Sequence, residues 1–284
     1  MTPRPALRSP LAVLASATAT HATGSADDVA LPRLPGFVES AFSPLVYEVS
    51  RRCLIEKPVD GTRTAVALAS LAGDTTTADL ASSRMVSGKV HNPLLFMQAT
   101  ANSVLGHISR EFGITGQMFS VSTLDDPVTE SLLMADLLLE DTELDHVLVV
   151  GVELGGGPRV AALHQEAADA DARPLPRLPA SAGLASAVLL GRPGPDGVTV
   201  RSAAVPRDGM SGPYLAPAAR HHGSVQGLVE LAAAHRWLLR EGGDHLLVTE
   251  AGPGRGRAAF MLTGSASTSL PAPTRDEKGN HAHR

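Results

Sequence analysis

Residues 116–138, GQMFSVSTLDDPVTESLLMADLL, hold the pattern closest to chemistry: a β-rich run, a short loop and the start of an apolar helix. Several acyl-transfer enzymes hold a nucleophile at such a strand-to-helix corner, where the helix dipole and free backbone N–H groups stabilise its anion. Here the corner reads Leu124-Asp125-Asp126-Pro127. Asp before Pro is a standard helix start, with the carboxylate as N-cap and the ring at the first helical position. Asp125 or Asp126 is therefore expected to cap the helix. The remaining candidates are scattered. Cys53 is the only cysteine, which excludes an intrachain disulfide and a cysteine zinc site. The eleven histidines show no metal-ligand spacing, and His221-His222 are adjacent and project differently. The run Leu154-Gly155-Gly156-Gly157 lacks the G-x-G-x-x-G spacing of a dinucleotide turn. No cofactor and no metal are expected.

Alternating helices and strands must position these residues. Ser43-Pro44 opens an expected helix over 44–56, which carries Cys53 as a core residue. TAVALAS (64–70) reads as a buried strand, and a short helix is expected over 76–87. Apolar residues at 101, 104, 105, 108 and 112 predict one helix from Gln98 to Phe112, ended by Gly113. MFSVS is a strand, and a helix runs from Pro127 to about residue 140. Strands are expected at 11–20, 145–153, 185–192 and 197–204, then a helix over 224–240, then strands in HLLVTE and RAAFMLT. Continuous apolar strands between helices indicate an α/β fold with a sheet covered on both faces. One packed domain is expected over residues 10–264, with polar, disordered ends at 1–9 and 265–284. ADADARPLPRLPA (168–180) reads as an exposed proline-rich loop.

A net charge of −5 argues against nucleic acid or anionic membrane as partner. No segment reaches the ~20 apolar residues needed to span a bilayer. The weakly apolar LAVLASATAT reads as a first strand rather than a signal peptide, so a cytoplasmic protein is expected.

The segment 91–123 resembles the β-ketoacyl synthase family of the thiolase fold. The resemblance is carried by Asn92-Pro93-Leu94-Leu95-Phe96, Asn102, Gly106-His107, Phe112-Gly113, Gly116 and the strand Ser120-Val121-Ser122-Thr123. VLVVGVEL, ASAGLASAVLLGR, HHGSVQGLVELAAAH and GPGRGRAAFMLT match later segments more loosely. The resemblance implies a truncated thiolase-like (ketosynthase) fold with a mixed sheet. It places Asp125 where the family has its acyl-carrying cysteine and His221 at the later family histidine; much of the second half, with the first catalytic histidine, is missing.

The resemblance thus implies a non-catalytic subunit, similar to the chain-length factors, that stabilises the active subunit and shapes its acyl tunnel in type II polyketide, polyene or fatty-acid-like biosynthesis. Its implied partners are a catalytic ketosynthase subunit and, through the complex, an acyl carrier protein. The interface and acyl-tunnel residues implied are Leu95, Phe96, Met97, Asn102, Met118 and Phe119. Two alternatives stand beside this one. One is an acyl transferase or hydrolase using Asp125 and His221; the other is the inactive half of a FabH-like heterodimeric condensing enzyme.

Overall fold

The structure is a computed structural model that describes residues 6–26, 28–88, 94–122, 127–171, 178–194, 197–205, 225–249 and 258–265. In chain order the elements are β1 (Leu11–His21), α1 (Phe42–Glu56), β2 (Thr64–Ala69), α2 (Thr75–Val86), α3 (Leu94–Gln98), α4 (Asn102–Phe112), β3 (Met118–Val121) and α5 (Pro127–Leu138). After these come β4 (His146–Leu154), α6 (Pro158–Asp171), β5 (Gly183–Gly191), β6 (Val198–Ser202), α7 (Gln226–Glu241), β7 (Gly243–Val248) and β8 (Ala259–Gly264).

All eight strands join one mixed sheet in the order β3-β2-β4-β5-β1-β6-β8-β7. The pairs β3–β2 and β2–β4 are parallel, and every later pair is antiparallel. The middle strands β4 and β5 are buried along almost their whole length, as expected of strands covered on both faces. Alternate residues serve two cores. Val66, Leu68, Leu148, Val150 and Leu189 pack under α1 and α4, against Leu45, Val49, Leu105 and Ile108. Ala65, Ala67, Val147, Val149 and Leu190 face α5 and α7, against Leu132, Leu228, Leu231 and Leu238. A bulge between Val13 and Ala15 of β1 changes the register against β5. Leu11 and Val13 belong to the α5/α7 core, whereas Ala15, Ala17 and Ala19 belong to the α1/α4 core. An extra residue in one strand has this effect because side chains alternate with period two.

Three expectations change. Helix α1 starts at Phe42, not Pro44, so Ser43 lies inside the helix with a buried hydroxyl that has no partner among the described residues. Pro44 is tolerated at the third position because the first turn's N–H groups have no intrahelical acceptor. Ser40 takes over the local role: its Oγ accepts the Phe42 N–H at 3.2 Å. The helix expected over 98–112 is broken into α3 and α4. Thr100 Oγ1 donates to the Met97 carbonyl at 2.8 Å and Ser103 Oγ reaches the same oxygen, so side chains compete with the helical ladder at that point. Helix α6 extends through residues expected to begin a loop.

Gly113 ends α4 as expected, at φ 63°, in the left-handed region that favours glycine. At the N-terminal end the described chain is already tied down before β1. The Leu7 N–H donates to Ser202 Oγ at 2.7 Å and the Arg8 N–H to Asp136 Oδ2 at 2.6 Å. Among the described residues no helix is long and apolar enough to cross a membrane.

Candidate functional site

The parallel strands β2, β3 and β4 end on the same side of the sheet, the side where open α/β sheets form their crevices. Three short segments leave there: Ser70–Asp74 after β2, Ser122 after β3, and Gly155–Gly157 after β4. Hydrogen bonds join the first two to each other and to β4. The Ser70 N–H donates to the Val121 carbonyl at 3.1 Å, extending the β2–β3 ladder by one bond. Glu153 Oε1 accepts the Leu71 N–H at 2.7 Å, and Ser122 Oγ donates to the Leu71 carbonyl at 2.8 Å. Asp74 caps α2 by accepting the Thr77 N–H at 3.0 Å, and also accepts the Ser40 hydroxyl at 2.7 Å.

Beside these segments lies a mainly apolar cavity of ≈ 330 Å³, lined by Gly155, Gly156, Val160, Ala161, Leu178 and Ala180. Glycine is required in its wall, because a Cβ on Gly155 would fall 1.7 Å from the Pro179 carbonyl oxygen. A Cβ on Gly156 would likewise fall 2.3 Å from Val160 Cγ2, so close packing accounts for these two glycines of the run. The Thr75 hydroxyl is buried near Gly156 and has no hydrogen-bond partner among the described residues.

The corner itself, with Asp125 and Asp126, lies outside the described residues, as do His221 and Asn92-Pro93. The elements flanking the corner are in place: β3 leads in, and α5 begins at Pro127 with Pro127, Val128 and Thr129 buried. Cys53 belongs to a different element. It lies on α1, fully buried, with Sγ 3.5 Å from the Ala187 carbonyl. Burial pushes its thiol up to about 12, helped by the nearby Glu56 carboxylate. A thiol held protonated in this way is a poor nucleophile.

The residues read as interface or tunnel are divided by the structure. Leu95 is buried, while Phe96 and Met97 on the same short helix are 41% and 64% exposed. Asn102 is exposed at the start of α4. Met118 and Phe119 are half-buried and point to opposite faces, Met118 toward the α1/α4 core and Phe119 toward the α5/α7 core. Strand β3 is one edge of the sheet, and all four of its residues are half-buried. Further apolar side chains, Met85 and Val86, are exposed on α2, which packs against α3.

Residues 48–191, just over half of the 284, match the family model of the β-ketoacyl synthase N-terminal domain. The chain belongs to the β-ketoacyl synthase family. No curated protein matches the sequence. Among solved structures, AntDE:AntF, a type II polyketide synthase acyl-carrier protein in complex with its ketosynthase bound to the hexaketide, is similar at TM-score 0.63 and 12% identity. That match covers 91% of this chain and 100% of the other. The ishigamide ketosynthase/chain length factor gives TM-score 0.55 at 15% identity, covering 83% of each chain. The ketosynthase ApeO in complex with its chain length factor ApeC, from Xenorhabdus doucetiae, gives 0.50 at 18%, covering 83% of this chain and 82% of that one. These likenesses establish the ketosynthase-type fold.

Sequence reasoning missed the clamp on the Leu71 peptide. Its signal was present: Glu153 is the one charged residue in the apolar run VLVVGVEL. A buried carboxylate there requires a donor, and the donor comes from a turn distant in sequence.

Proposed function

We propose that this ketosynthase-family chain is a non-catalytic partner subunit, of the chain-length-factor kind, for an active β-ketoacyl synthase in type II polyketide or polyene biosynthesis. The observation that carries the reading is the separation of the only cysteine from the β3–α5 corner. Condensation in this family needs a thiolate at that corner, and Cys53 is sealed in the core under α1 with its thiol pushed up to about 12. The elements on either side of the corner persist, and β3 remains an unpaired edge among the described residues. An edge strand with half-buried Met118 and Phe119, together with the outward Phe96 and Met97 of α3, suits association with a second, similarly folded subunit. The ketosynthase and chain-length-factor complexes among the structural neighbours accord with this arrangement.

In the complex, Phe96 and Met97 reach toward the partner's acyl tunnel and limit product length, while Leu95 anchors α3. The carrier protein meets the pair through the catalytic subunit. Co-expression with a catalytic ketosynthase subunit of a type II system tests the reading. The expected result is a stable complex whose catalytic subunit loses solubility or activity without this chain. A soluble monomer beside a fully active, unchanged synthase refutes it. Within the complex, Phe96→Ala is expected to lengthen the product with no loss of folding, because the ring is substantially exposed. An unchanged product length removes the gating role of Phe96.

A further inference from the structure

Glu153 sits one residue before the end of β4, and only 5% of it is exposed. Its Oε1 accepts the Leu71 N–H at 2.7 Å, while the carbonyl of Leu71 accepts Ser122 Oγ at 2.8 Å. One peptide segment, just past β2, is thus held from both sides: by β4 through a carboxylate and by the end of β3 through a hydroxyl. Deleting the carboxylate leaves a buried N–H unsatisfied. The grip matters because each held segment leads into an element of the candidate partner face. Three residues after Leu71, Asp74 caps α2, and α2 packs against α3 with its Phe96 and Met97. Ser122 is the last described residue before the corner.

We infer that Glu153 is a specificity-determining positioning residue: by holding the Leu71 peptide, it sets α3 relative to the β3 edge and so sets the depth of the partner's acyl tunnel. This rests on the partner-subunit reading above. Ser122 acts on the same residue's carbonyl, so the two side chains form one unit.

The test uses the co-expressed complex and the isolated full chain, with Glu153→Ala, Glu153→Gln, Ser122→Ala and the Glu153→Ala/Ser122→Ala double variant. In the complex, Glu153→Ala and Ser122→Ala are expected to move the product-length distribution in the same direction, the double variant no further than the larger single. Glu153→Gln, which keeps an acceptor oxygen, is expected to retain the wild-type distribution. In the isolated chain, amide exchange over residues 70–73 and 118–122 is expected to quicken roughly tenfold in Glu153→Ala and not in Glu153→Gln. Quickened exchange with wild-type products overturns the specificity role, and unchanged exchange overturns the clamp itself. Additive shifts from the two single variants overturn their action as one unit. If the wild-type chain forms no complex, the partner reading fails and the specificity role with it, while the exchange experiment still decides whether Glu153 holds the turn.

Discussion

Acid should weaken this fold through His235, and the size of the effect can be worked from its surroundings. The ring lies on α7 against β1, fully buried. Its Nδ1 is 2.8 Å from Ser16 Oγ, and Nε2 has no hydrogen-bond partner among the described residues. Burial pushes the imidazole from its ordinary 6.5 down to about 4; neighbouring Arg236 pushes the same way, and the Val13 backbone opposes both. The sign is set by proton binding. Between about 4 and 6.5 the unfolded chain binds a proton at this residue that the native chain does not, so stability falls as pH falls. The contribution is fully present above pH 6.5 and is lost progressively toward pH 4. Each pH unit of that gap corresponds to about 1.4 kcal/mol, so the whole effect is ~3 kcal/mol, with ~2 kcal/mol of it lost between roughly pH 7 and pH 4.5.

The assay is urea unfolding at a series of pH values, for the wild type and for His235→Asn, whose side chain reaches toward Ser16 without titrating. Comparing slopes rather than absolute stabilities cancels the cost of the smaller side chain. His146 and His245 are also lowered by burial and slope the same way in both proteins. The variant is therefore expected to keep a shallower acid slope than the wild type, the difference approaching ~2 kcal/mol over that interval. Parallel slopes would refute the reasoning, because His235 would then have the same protonation in the native and unfolded states.

Cys53 should resist a disulfide exchange reagent in the native protein at mildly alkaline pH and react stoichiometrically once denatured, since burial keeps it a thiol; rapid native labelling would contradict this. Gly116→Ala should lower the melting temperature strongly, because the new Cβ would lie 2.3 Å from the Thr64 carbonyl oxygen, at the point where the chain turns into β3. At the exposed and unobstructed Gly106, alanine should raise the melting temperature slightly through helix propensity, and thermal melts of the two variants make the comparison.

Much of this fold is legible from composition and periodicity. The apolar runs at β2, β4 and β5 announce a two-faced sheet, the 104, 105 and 108 spacing marks the buried side of α4, and Gly113 marks its end. These are local properties, because side-chain alternation and backbone freedom depend on a residue and its near neighbours. The absence of a second cysteine is equally plain in the sequence, as is the stretch Leu124-Asp125-Asp126 at a corner where the family resemblance implies a nucleophile.

Other features needed the packed structure. The bulge in β1 is a matter of register against β5, which a strand's own sequence does not specify. The break between α3 and α4 depends on whether Thr100 and Ser103 bond the Met97 carbonyl or leave the helix continuous, a balance of small local energies. Leu95 turns inward while Phe96 and Met97 turn outward on α3, and packing alone determines which of them is available to a partner. The Glu153 grip on Leu71 spans 82 positions of sequence. The sequence alone thus determined an α/β sheet and a single cysteine that lies outside residues 116–138. Only the tertiary structure decided that one carboxylate holds the turn beside the corner's approach, because long-range pairing is a property of packed elements rather than of any single segment.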